Sequence, residues 1–152
     1  MATVLWEEEA VQATAGDEAL TIPVPVTVLR VNGEIAFQPI SAADYVIDAE
    51  SITLRGSGGT PREFQLTFTL STELVGEGYK FANPALKFFQ GSSKKSGFRF
   101  SPESSVEATA SLFNTKDSQD SKSEDSFNVL LVDPIQRLLV HDPTIVWDPP
   151  NG

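Results

Sequence analysis

The chain has no cysteine and a single histidine, His141, in 152 residues. A disulfide staple, a thiolate nucleophile and a Cys-based metal site are therefore excluded, and imidazole chemistry is confined to one position. Basic residues are also scarce. Eleven Lys and Arg stand against 21 Asp and Glu, a formal charge of −10. That field repels phosphate backbones and anionic lipid surfaces, so neither nucleic acid nor a membrane is expected as a partner. No apolar run approaches the roughly 18 residues that span a bilayer; Pro23, Pro25, Asp133 and Asp142 interrupt the longest ones. The opening MATVLWEEEA carries acids but no Lys or Arg ahead of an apolar stretch, unlike a secretory leader, and a cytoplasmic location is expected.

What the chain does have is short β-branched and aromatic runs separated by Gly, Pro, Asp and Ser. Residues 63–70 alternate strictly, with Phe64, Leu66, Phe68 and Leu70 on one face and Glu63, Gln65, Thr67 and Thr69 on the other. That is the period of a half-buried strand. Residues 106–112 repeat it, with Val106, Ala108, Ala110 and Leu112 inward. Residues 45–47 and 52–54 flank a short polar insert and read as a hairpin. Residues 127–132 and 137–141 are more uniformly apolar and read as strands covered on both faces, joined by a turn at Asp133 and Pro134. In residues 22–31, Pro23 and Pro25 remove two amide donors from one side of a β-forming run, which predicts an edge strand blunted against pairing. Helical composition is confined to residues 7–13. The expected fold is all-β, a two-sheet antiparallel β-sandwich of roughly eight or nine strands with little or no helix. It forms one domain over residues 1–152, with residues 1–21 as an N-terminal arm or edge strand and residues 114–126 as a long acidic hairpin loop.

Candidate chemistry is thin. In the acidic loop, Asn114, Asp117, Asp120, Glu124 and Asp125 offer oxygen ligands of the kind Ca²⁺ prefers, but Lys116 and Lys122 interleave and no Gly supplies a sharp turn, so a solvated loop is the stronger reading. His141 and Asp142 are neighbours on a strand and point to opposite faces, which argues against a base and its orienting acid. The glycines of RGSGGTPR lead into a strand and lack the Gly-Lys-Ser/Thr ending that opens a phosphate-binding helix. No cofactor is expected.

Aromatic placement is more informative. Adjacent Phe88 and Phe89 cannot both face one core, and Trp147 is followed by residues that stop a ladder. Together with Trp6 they are the expected interface residues of a non-catalytic protein-interaction or self-assembly module, whose partner is a protein, a second copy of the chain among the candidates. The alternative is a small-ligand or carbohydrate-binding sandwich, with Trp6, Tyr79 or Trp147 stacking on a sugar and Ca²⁺ in the acidic loop as its aid. The closing run Asp142, Pro143, Thr144, Ile145, Val146, Trp147, Asp148, Pro149 is similar to the Asp-Pro-rich closing strand of bacterial inclusion-body proteins. That likeness covers about fifteen residues at the end of the sequence, the apolar strand before Asp142 included, and implies a cytoplasmic β-rich protein without known catalysis.

Overall fold

The computed structural model describes residues 20–55, 62–88, 96–114 and 123–148, with the backbone alone at residues 20, 88, 96–104, 113–114 and 123. The alternating run at residues 63–70 becomes β6 (Arg62–Leu70), the middle strand of a five-stranded sheet. On one side lie β1 (Leu20–Val31) and β2 (Glu34–Phe37); on the other lie β9 (Glu107–Asn114) and β8 (Ser96–Ser104). Phe64, Leu66, Phe68 and Leu70 are buried, as the period requires. Ala108 and Ala110 pair with Phe68 and Leu66, so small side chains stand beside bulky ones.

The second sheet has seven strands. Its main path runs β11 (Leu138–His141), β10 (Ser123–Val132), β12 (Thr144–Asp148), β5 (Ser51–Arg55), β4 (Tyr45–Asp48) and β3 (Ile40–Ser41), and β7 (Lys80–Phe88) pairs with β10. Between the sheets, Phe37, Phe68 and Phe127 form an aromatic cluster with centroids 5.8 to 6.4 Å apart, and Phe64 meets Trp147 edge-on at 6.2 Å. The core is therefore the space between two sheets, an all-β sandwich.

Two details differ from the sequence reading, and the expected small helical content is met by one short helix. The described residues hold twelve strands, because several are only two to five residues long. The sheets are mixed rather than antiparallel: β1 runs parallel to β6, and β12 runs parallel to β5. β6 comes beside β1 after the chain has visited the other sheet through β3–β5, and β12 comes beside β5 after two such excursions and the β10–β11 hairpin, events with no local signature. A helix, α1 (Thr72–Glu77), follows β6; Ser71 caps its start by accepting from the Leu74 amide at 3.2 Å, and Gly78 ends it at φ 99°. Residues 7–13 lie outside the described residues.

Candidate functional site

The most unusual surface is built by the β10–β11 hairpin. Its turn is heavily braced. The Gln136 amide donates to the Asp133 carbonyl at 2.9 Å, and Gln136 takes the left-handed conformation at φ 71°. The Asp133 carboxylate accepts from the Ile135 and Arg137 amides at 3.0 and 2.8 Å and from Arg137 Nε at 2.9 Å. The Arg137 amide, followed by the Arg137 guanidinium and the Ile135 amide, holds this carboxyl below the usual carboxylate range against the opposing effect of burial. The turn thus fixes how β11 leaves it.

Beyond the turn, pairing sorts the side chains. Val129 faces His141 and Leu131 faces Leu139 on the core side; Leu130 faces Val140 and Val132 faces Leu138 on the outer side. The outer face is aliphatic and wet: Ile135, Leu138 and Val140 are 66%, 60% and 55% exposed, and Leu130 and Val132 are half-buried beside them. β11 was expected to be covered on both faces. It is instead an edge, paired among the described residues with β10 alone, so a run of uniformly apolar residues here marks exposure rather than depth. Because Asp133 donates to the Arg137 carbonyl, the alternation of an antiparallel ladder turns the backbone groups of Leu139 towards β10 and those of Leu138 and Val140 outwards.

A second open edge, in the five-stranded sheet, contrasts with it. Thr27 accepts from the Gln38 amide on the β2 side, so Pro25 and Pro23, two and four residues earlier, face that same side where β1 runs past the end of β2. The blunted edge read from the prolines is present. β11 has no such protection within its four residues.

The residues singled out from the sequence fall elsewhere. Trp147 is a core residue rather than a surface anchor: 6% exposed, it donates from Nε1 to Asp125 Oδ2 at 2.8 Å and packs on Phe64. Phe88 is described only by its backbone, which pairs with Phe127. Phe89 and Trp6 lie outside the described residues, as do Asp117 and Asp120. Asn114 ends β9, with its backbone alone described. Glu124 and Asp125 belong to β10, where Glu124 is exposed and Asp125 is buried, so their carboxylates diverge instead of converging on an ion. Among the described residues no three His, Asp or Glu gather as a metal-holding group. Tyr79, offered above as a sugar platform, is half-buried; its hydroxyl accepts from Arg30 at 2.7 Å and its ring lies 5.5 Å under the guanidinium.

His141 points into the sandwich. Phe37 meets its ring edge-on at 4.9 Å, Nε2 is buried without a partner, and the Ala49 carbonyl accepts from the ring. Burial pushes its pKa below the ordinary value, and the Ala49 carbonyl and the charges of Glu50 and Asp142 only partly oppose this. Asp142 faces out and accepts from Asn128 Nδ2 at 3.1 Å. The two neighbours diverge as strand geometry requires.

No family model matches the chain, and no curated protein matches it. No helix among the described residues is long and apolar enough to cross a membrane.

Proposed function

We propose that this protein is a non-catalytic module that works by protein–protein contact, with the outer face and free edge of β11 as its contact surface. The observation that carries the reading is the exposure of Leu138 and Val140 on an edge that pairs, among the described residues, with β10 alone, next to an exposed Ile135 in a turn braced by Asp133. Aliphatic side chains in water beside backbone donors and acceptors that have no strand partner among the described residues combine the two requirements of strand addition. His141, the one imidazole, is occupied inside the core.

The double variant Leu138→Lys/Val140→Lys tests this. Because both side chains are exposed, stability to urea should change by no more than about 0.5 kcal/mol. Affinity purification from the cells that make the protein should then recover fewer bound copies or other proteins with the variant than with the wild type. Identical bound sets would refute the reading.

A further inference from the structure

We infer that the occupant of the β11 edge is a second copy of this chain, paired antiparallel across a two-fold axis so that the seven-stranded sheets of two molecules join. This rests on the contact surface proposed above and names its partner.

Three observations carry it. The first is self-complementary register. The outward backbone groups belong to Leu138 and Val140, so an antiparallel copy sets Leu138 of one molecule opposite Val140 of the other, twice, with Leu139 facing Leu139 at the axis. On the outer face the short rows Val132–Leu138 and Leu130–Val140 then run on into each other, giving two continuous aliphatic rows where each monomer ends in water.

The second is charge. β11 begins beside Arg137, an exposed guanidinium whose Nε also holds Asp133, and ends beside an anion, Asp142, with the exposed Asp48 and Glu50 at the β4–β5 turn near the same end. Glu50 is held there by its carbonyl, which accepts from the Thr144 amide. An antiparallel copy brings the Arg137 end of each molecule to the acidic end of the other. A parallel copy would stack like on like.

The third is the contrast with two other edges. The open stretch of β1 is blunted by Pro23 and Pro25, and the edge strand β3 has two residues, whereas β11 offers donors, acceptors and exposed aliphatic side chains together. Two four-residue strands make a small contact, at the low end of specific interfaces, so the expected state is a monomer–dimer equilibrium that dissociates on dilution.

Cysteine trapping in the full chain tests this directly, because there is no native thiol to compete. Single variants Leu138→Cys, Leu139→Cys and Val140→Cys are oxidised mildly, with Val75→Cys, exposed on α1, as the reference. In a non-hydrogen-bonded antiparallel pair the Cα atoms lie about 4.5 Å apart, within disulfide reach, so Leu139→Cys should form covalent dimer at least about ten-fold faster than Val75→Cys through the raised effective concentration. Leu138→Cys and Val140→Cys, both on exposed side chains that tolerate change, report a shifted register. Adding Leu138→Lys or Val140→Lys to Leu139→Cys should return its rate to the reference. If none of the three strand positions outpaces Val75→Cys, the self-pairing is refuted. If trapping fails while Leu138→Lys/Val140→Lys still strips bound proteins from the wild-type set, the occupant is a different protein and only this inference falls. If both fail, the contact surface falls with it.

Discussion

Asp125 illustrates how a single residue changes meaning with its side of a strand. Read as part of an acidic loop it was a candidate cation ligand; on β10 it shares parity with Phe127, Val129 and Leu131 and turns into the core, where it accepts from the Trp147 indole. The signal was present in the sequence: the apolar alternation of β10, carried back one more step, reaches residue 125. Asp125→Ala removes the acceptor and strands a buried N–H, which should cost about 1–3 kcal/mol in urea unfolding. Trp147→Phe in the same background should cost less than it does alone, because the pair is already broken. Strictly additive losses would show that the hydrogen bond contributes nothing to stability.

At the scale of the strand and helix, legibility followed locality. β6 and β9 were visible because alternation is a property of neighbouring residues, and the β4–β5 hairpin was visible from its polar insert. The short helix α1 was missed although its signals, Ser71 before it and Gly78 after it, were there; six residues are too few for a periodic apolar face, and only Leu74 is buried. The candidate site was missed for a different reason. An apolar run carries no mark that separates a covered strand from an exposed one, so β11 read as interior until its neighbours were known. The prolines of β1 were legible because a missing donor is a chemical fact independent of context. Restoring those donors with Pro23→Thr/Pro25→Thr should leave the β6 pairing intact and open a second adhesive edge. Light scattering should then rise with concentration in excess of the wild type, including when Leu138→Lys is also present. Unchanged scattering would mean that the prolines do not guard the edge.

At the scale of the whole molecule, association has to overcome a formal charge of −10 on each copy. Charges at the rim of the proposed contact are exposed and contribute little, whereas the net charge acts across the full separation of the two molecules. The Debye length falls from about 30 Å at 0.01 M salt to about 3 Å at 1 M, so the dimer should strengthen as salt is added. Sedimentation velocity over that range checks the sign, and a dissociation constant that rises with salt would show that ion pairs dominate the contact. A final consequence follows from the parallel pairing of β12 with β5. Residues Thr144–Asp148 are synthesised after every other described strand and fill the gap between β5 and β10. A nascent chain on the ribosome therefore holds β5 and β10 apart, each with a bare flank, until β12 emerges, and that interval is when such a molecule is most exposed to mispairing with its neighbours on the same message.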